Sequence, residues 1–358
     1  MQIIIKTPLG LEKIAASRAV ELVGGRAEAR PRRFKGLVVL DGLDDPDRAA
    51  ETLERSLPEA EYVLRVLCTA RADLEEIARK AAELARGRIG PDETFAVRTT
   101  RRGRHDFTSI EVNVRAGSAI QAATGADVDL GSPDKIVWIE VIGPEVGIAI
   151  TPGSIVWRKR RPGKPGVIGL LKRISFAQMP YLGEGAKPMG IRIGRAVQAF
   201  ELGELVITPH EPVDAAQLAE FVSGVLEGRE SRLRVQERTY AREVRAVPVK
   251  IQDLYQFVRD RSGEPLIATD PTGLTVGEAR DEIAALFGRR GRINILAGAR
   301  EGLPKGVLRF ATLVLDLCPG ITFATEHTVP AVVSALVTCL EEAGVLGNMS
   351  GGAARGWA

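Results

Sequence analysis

Arg292-Ile293-Asn294-Ile295-Leu296-Ala297 is an apolar, strand-like run that passes directly into Gly298-Ala299-Arg300-Glu301-Gly302-Leu303-Pro304. A second glycine- and proline-bearing stretch, Leu317-Cys318-Pro319-Gly320-Ile321-Thr322-Phe323-Ala324-Thr325-Glu326, follows a short helical pattern and another apolar run. Short apolar runs bounded by such residues read as buried strands, and their alternation with helical patterns reads as a parallel sheet. Open sheets of this kind take ligands in the crevice beyond the carboxyl ends of their strands. Glycine there lets the backbone approach a ligand closely. The two loops therefore mark a candidate binding site.

The alternation extends back to Arg173. Ile191 to Phe200 reads as a helix, Leu205 to Thr208 as a strand, and Asp214 to Gly228 as an amphipathic helix. Pro265 to Thr269 is a strand, and Thr275 to Phe287 a helix with Thr275 as its candidate cap, continuing through Glu278. Leu313 to Leu317 is the last strand and Val329 to Ala343 the final helix. A third loop, Thr269-Asp270-Pro271-Thr272-Gly273, joins the first two on one side of the sheet.

This succession of loops resembles the C-terminal part of the SPOUT superfamily of RNA methyltransferases. The resemblance implies an α/β domain whose last segment threads behind the others as a trefoil knot. It also implies S-adenosyl-L-methionine in the loops and a homodimer formed through this domain. Carried onto this sequence, the cofactor's neighbours are Thr269, Gly273, Ala297, Gly298 and Gly302, with Gly320 and Thr325. Leu303, Leu317 and Ile321 either line the adenine pocket or belong to the ordinary core.

Methyl transfer depends on alignment, and a base matters only when the acceptor carries a proton, as a ribose hydroxyl does. The candidate catalytic groups are Asp270, Arg300, Glu301 and Glu326, with His327 beside them. Arg300 either meets a target phosphate or polarises a base carbonyl. Glu301 and Glu326 either handle a proton or the cofactor's amine, or else stabilise a turn and cap the helix near Val329, respectively.

Upstream, Gln2 to Thr7 and Arg33 to Leu40 read as strands, Asp47 to Leu57 as a helix, and Tyr62 to Cys68 as a third strand. That order suits a small ferredoxin-like α+β domain. Next comes Phe95-x-Val97-Arg98-x-x-Arg101-x-Gly103-x-His105-x-Phe107-x-Ser109-x-Glu111, with Val128-Asp129-Leu130, Pro133-Asp134 and Glu140-Val141 downstream. Many matched positions at fixed spacing make this similar to a THUMP domain, a module of tRNA-modifying enzymes. The resemblance implies that it holds the acceptor end of tRNA.

The residues support a cationic surface without the family name. Arg98, Arg101, Arg102, Arg104 and His105 gather around one strand end and the loop after it. Ser109 or Thr108 caps the helix that follows. Arg98 either meets RNA or forms an internal ion pair with Asp129. The linker Arg158-Lys159-Arg160-Arg161 is either a phosphate contact or a solvated spacer.

The chain has 358 residues, enough for two or three domains, and its net charge of +3 does not by itself announce nucleic-acid binding. No apolar run approaches the roughly 18 residues of a membrane span, and the N-terminus has no signal-peptide pattern. A cytoplasmic protein without membrane contact is expected. Cys68, Cys318 and Cys339 are far apart and carry no metal-ligand spacing, so no metal is expected. P-loop, zinc and nucleophile-elbow motifs are absent.

The expected plan is a ferredoxin-like domain over residues 1–70, a THUMP domain over 71–152, a basic linker over 153–173, a SPOUT-like domain over 174–348 and a flexible tail over 349–358. The function expected from it is S-adenosylmethionine-dependent methylation of tRNA. The alternative is a noncatalytic tRNA-binding protein with a vestigial or sensory pocket.

Overall fold

The computed structural model describes residues 1–157 and 163–346. The basic cluster Arg158 to Arg161 and the expected tail lie outside the described residues. The chain divides into two compact units, Met1–Gly163 and Lys164–Ala358.

The first unit opens with β1 (Ile3–Lys6), α1 (Glu12–Val23), β2 (Arg26–Ala29), β3 (Leu37–Asp41), α2 (Pro46–Ser56) and β4 (Tyr62–Arg65). The strands pair antiparallel in the order β2-β3-β1-β4, which is the ferredoxin-like arrangement. Ile3 and Ile5 alternate inward beneath Ala15, Ala19 and Leu53 of the helices. Asp45 starts α2 by accepting a hydrogen bond from the Arg48 amide, with Pro46 in the first turn.

Two expectations fail in this region. The strand expected from Arg33 begins only at Leu37, after a 3-10 turn over Pro31–Arg33 in which Arg32 and Arg33 have positive φ of 53° and 69°. The sequence reading also passes over β2, because Arg-Ala-Glu-Ala carries no large apolar residue to signal a strand.

The strand expected over Tyr62 to Cys68 breaks after Arg65 and resumes in a second sheet as β5 (Cys68–Arg71). That sheet continues with α3 (Leu74–Ala85), β6 (Thr94–Arg102), α4 (Ser109–Thr124), β7 (Asp127–Val128), β8 (Lys135–Ile142) and β9 (Glu145–Pro152). Its order is β5-β9-β8-β6-β7. Thr108, not Ser109, caps α4: its hydroxyl accepts from the Glu111 amide while Glu111 reaches back to the Thr108 amide. That amide bond holds the Glu111 carboxyl below its usual range.

Side chains of β8 alternate between two partners. Val137, Ile139 and Val141 pack under α3 and α4, whereas Ile136, Trp138 and Ile142 meet Ile4, Leu37 and Leu64 of the first sheet. Glu140 falls on this second face and is fully buried. Lys6 and Arg102 neutralise it at 2.8 and 2.6 Å.

The second unit runs α5 (Ile168–Leu171), β10 (Ile174–Gln178), α6 (Ala186–Ala199), β11 (Glu204–Ile207), α7 (Ala215–Thr239) and β12 (Val249–Ile251). It continues with α8 (Leu254–Asp260), β13 (Leu266–Thr275), α9 (Arg280–Gly288), β14 (Ile293–Ala297), α10 (Lys305–Phe310), β15 (Leu313–Asp316) and α11 (Thr328–Glu342). All six strands are parallel, in the order β12-β11-β10-β14-β13-β15. Phe176, Ile295, Ile267 and Leu315 face α6, α9 and α11, while Ala177, Leu296 and Ala268 face α8 and α10. Burial on both faces explains why these strands read as continuous apolar runs.

The helix expected to stop at Gly228 continues to Thr239. Gly228 is a packing residue rather than a stop, since a Cβ there would lie 2.7 Å from the backbone carbon of Ile191 on α6. Gly194 answers from α6, where a Cβ would lie 2.8 Å from the backbone carbon of Val225. The helix expected from Thr275 begins at Arg280: the Thr275–Glu278 capping bonds form, but β13 occupies the chain as far as Thr275.

Candidate functional site

The carboxyl ends of β14, β13 and β15 lie side by side, and each delivers one loop. On β13 the register against β15 shifts between Thr269 and Leu274, so residues 270–273 leave the ladder. Asp270 closes this excursion by accepting from the Thr272 amide at 2.9 Å and hydroxyl at 2.6 Å. Gly273 then returns so close to β15 that a Cβ would sit 2.7 Å from the Leu315 nitrogen.

The β14 loop is folded onto itself. Its Gly302 amide donates to the Ala299 carbonyl at 2.8 Å, and Gly302 has a φ of +77°. From β10, the buried Gln178 amide donates to the Gly298 carbonyl at 2.8 Å and the Met179 carbonyl at 3.0 Å. A side chain thus anchors the strand end from which the loop departs.

The β15 loop starts at Asp316, whose Oδ1 accepts from the Cys318 amide at 3.0 Å. Gly320, at φ +82°, lets the chain double back so that the Ile321 amide reaches the Cys318 carbonyl.

A cleft opens between the three loops. Thr269, Asp270 and Pro271 line it from β13, and Gly298, Ala299 and Gly302 from β14. Leu315, Asp316 and Leu317 line it from β15, followed by Ile321, Thr322 and Phe323, then Thr325 and Thr328. Threonine hydroxyls and apolar side chains share the wall. The only ionisable groups in that lining are two carboxylates, Asp270 and Asp316, and no lysine or arginine offsets them.

The structure brings together Thr269, Asp270, Gly298, Gly302, Leu317, Ile321 and Thr325, all singled out in the sequence. Ala297 and Leu303 are buried in the cores on opposite faces of the sheet, Gly273 packs on β15, and Gly320 is exposed in its turn. Arg300 stacks over the Tyr181 ring, its guanidinium carbon 4.4 Å from the centroid, and reaches the Glu184 carbonyl at 3.5 Å. Glu301 is exposed. Glu326 holds Arg192 at 3.0 Å and does not cap α11, while its other oxygen is buried without a hydrogen bond.

The sequence reading missed Pro271, Ala299, Leu315, Asp316, Thr322, Phe323 and Thr328 as lining residues. Asp316 left a signal: it ends an apolar strand where a polar residue marks the rim, just as Asp270 does.

In the first unit the expected RNA residues have unequal freedom. Arg104 is exposed, with no hydrogen bond or ion pair among the described residues. Arg101 donates to the Gly103 carbonyl and lies 3.3 Å from His105 Nδ1. That leaves His105 Nε2 as the donor to the Gly143 carbonyl at 2.7 Å, and the ring stacks on Phe107 at 5.2 Å. Arg104, His105 and Phe107 line one open groove with Arg71. Arg98 lies over Trp138 and has no ion pair with Asp129, whose carboxylate instead accepts from the Gly131 and Ser132 amides. Arg102 is taken by Glu140.

The model of the family described as AF2226-like SPOUT RNA Methylase fused to THUMP matches residues 168–356, more than half of the chain. The chain belongs to this family. A THUMP domain matches residues 71–151. Uncharacterized protein MJ0421 of Methanocaldococcus jannaschii is 41% identical to this SPOUT–THUMP protein over 341 residues, covering 94% of this chain and 93% of its own. A tRNA sulfurtransferase of Vibrio vulnificus is 42% identical over 86 residues, 24% of this chain and 18% of that one. The crystal structure of PH1313 from Pyrococcus horikoshii aligns with 94% of this chain and 100% of that chain at 15% identity, with a TM-score of 0.37.

The SPOUT–THUMP protein is thus an α/β RNA methyltransferase by family, with a THUMP domain ahead of a parallel-sheet domain in the chain. Among its described residues no helix is long and apolar enough to cross a membrane, and no group of three or more His, Cys, Asp or Glu is placed to hold a metal ion.

Proposed function

We propose that this protein methylates tRNA with S-adenosylmethionine bound in the cleft between β13, β14 and β15. The observation that carries the reading is the chemistry of the lining: hydroxyls, apolar side chains, close glycine backbone and two carboxylates, with no cation. A phosphate-bearing cofactor would find repulsion there, whereas a phosphate-free adenosine carrying positive charge would not. Leu317 and Ile321 offer apolar cover for a purine, and Gly298 and Gly302 let main-chain groups meet it edge-on.

The bound group supplies a methyl activated by a sulfonium. The chain's own part is to align the acceptor, exclude water and handle a proton where the acceptor has one. Asp270 is the candidate base, because it alone of the expected catalytic carboxylates lines the cleft. Arg300, steadied on Tyr181 between cleft residues Ala299 and Gly302, is the candidate contact for a target phosphate.

tRNA is the proposed substrate because THUMP modules and the relatives named tRNA sulfurtransferases point to it. In this reading residues 71–152 hold the acceptor end beside the ferredoxin-like domain over 1–70, 153–173 is a basic linker, and 174–348 forms the knotted, dimerising catalytic domain in the cytoplasm. The noncatalytic alternative draws on the positions of Glu301 and Glu326, neither of which lines the cleft.

The deciding experiment is transfer of labelled methyl from S-adenosylmethionine to bulk unmodified tRNA, followed by nucleoside mass spectrometry. A labelled nucleoside is expected, and it identifies the accepting atom. Bound cofactor and bound tRNA without label would favour the noncatalytic alternative.

A further inference from the structure

We infer that Asp316 makes the cleft discriminate by charge between methyl donor and product, so that S-adenosylmethionine binds more tightly than S-adenosylhomocysteine. The inference rests on the cofactor reading above and adds a residue that does the discriminating.

Asp316 is 92% buried, being 8% exposed, at the end of β15 and yet lines the cleft. Its Oδ1 is committed to the Cys318 amide, and among the described residues Oδ2 has no hydrogen-bond or ion-pair partner. A largely buried carboxylate normally has its charge compensated, because leaving it bare is costly. The lining provides no lysine, arginine or histidine for this, and its other acid, Asp270, adds charge of the same sign. Oδ2 is thus left to the open cleft, where a cation brought by the ligand can pair with it.

Donor and product differ in that respect. The donor carries a sulfonium and an ammonium against one carboxylate, for a net positive charge. On transfer the carbon–sulfur bond breaks, its electron pair stays on sulfur, and the methyl carbon bonds to the RNA atom. An acceptor proton, where present, passes to a base or solvent. The product is then a neutral thioether with its ammonium and carboxylate balanced. One unit of charge a few ångströms from a carboxylate in a half-open site outweighs the ~1.4 kcal/mol of a tenfold affinity difference. The charge preference thus ejects product. It also stabilises the ground state more than a transition state in which the sulfonium charge is fading, so Asp316 tightens donor binding at some cost to the rate of the step and is not a catalytic group.

The test is calorimetric titration of the full chain and of Asp316→Asn with three ligands: S-adenosylmethionine, S-adenosylhomocysteine and neutral 5′-methylthioadenosine. Asparagine keeps the acceptor for the Cys318 amide. Wild type should favour donor over product by roughly tenfold. In Asp316→Asn the ratio should approach one through weaker donor binding, with methylthioadenosine affinity unchanged. Equal donor and product affinity in wild type, or an unchanged ratio in the variant, overturns the inference. Loss of methylthioadenosine along with the donor also overturns it, by making Asp316 a loop anchor. If none of the three ligands binds wild type, the cofactor reading itself has failed.

Discussion

A Cβ added to Gly298 would lie 2.7 Å from the Cα of Gly302, so the two glycines close the β14 loop by backbone contact alone. At Gly302 the space is freer, and the constraint is conformational: its φ of +77° is one that β-branched residues avoid. Gly302→Val should therefore refold the loop and abolish S-adenosylmethionine binding, while leaving tRNA affinity within about twofold, since the proposed RNA contacts of the first unit belong to a separate core. Equilibrium dialysis with labelled cofactor and a filter-binding assay with tRNA check both halves. Retained cofactor affinity would move the site away from this loop.

Glu140 joins the two sheets of the first unit. Lys6 comes from the first sheet and Arg102 from the second, and each of their side chains is 17% exposed. Glu140→Ala leaves two largely buried cations facing each other without a carboxylate, a loss of about 3 kcal/mol. A melting-temperature decrease of roughly 10 °C in the first unit is expected from that loss. Scanning calorimetry on the full chain measures it, and a Tm unchanged within 2 °C would mean that solvent compensates both cations.

How much of this the sequence disclosed depended on whether a residue's role was local. Strands such as β14 and caps such as Thr108 are set by neighbours in the chain, and both were readable there. The cleft's three loops were readable for the same reason, since glycine and proline punctuate strand ends whatever the topology. Arg102 was not: on β6 it looks like Arg101 or Arg104, and only the burial of Glu140 separates them. Gly228 imitated a helix stop because its reason, the backbone of α6, lies 37 positions away at Ile191. Asp316 was overlooked because a carboxylate after an apolar strand also suits a solvated turn, and its lack of a cationic partner is visible only in three dimensions.

Acid should loosen the first unit through Glu12. This fully buried carboxylate accepts from Arg30 Nε and Nη2 at 3.0 and 2.8 Å, from the Gly36 amide at 2.8 Å and from the Gly10 amide at 3.0 Å. The Arg30 bonds first, then the Gly36 amide, hold its pKa at about 2, against an ordinary 4.5. A lowered pKa stabilises the fold above the unfolded value, and that contribution is lost as pH falls from about 4.5 towards 2. Melting wild type and Glu12→Gln across that window should show wild type ahead at pH 6 and the gap closing by pH 2. A gap independent of pH would assign the effect to packing.

Arg104 and Arg102 make the RNA surface testable, because they sit two positions apart with opposite commitments. Each arginine–phosphate contact releases counterions and contributes roughly −0.7 to −0.9 to the slope of log K against log salt. Arg104 is free to make such a contact, so Arg104→Ala should flatten the tRNA salt slope by about that amount at unchanged Tm. Arg102 is spent on Glu140, so Arg102→Ala should lower Tm and leave the slope intact wherever the protein remains folded. Titrating labelled tRNA at several salt concentrations separates the two outcomes. If Arg102→Ala flattened the slope and Arg104→Ala did not, the groove lined by Arg104, His105 and Phe107 would lose its claim to the phosphate backbone.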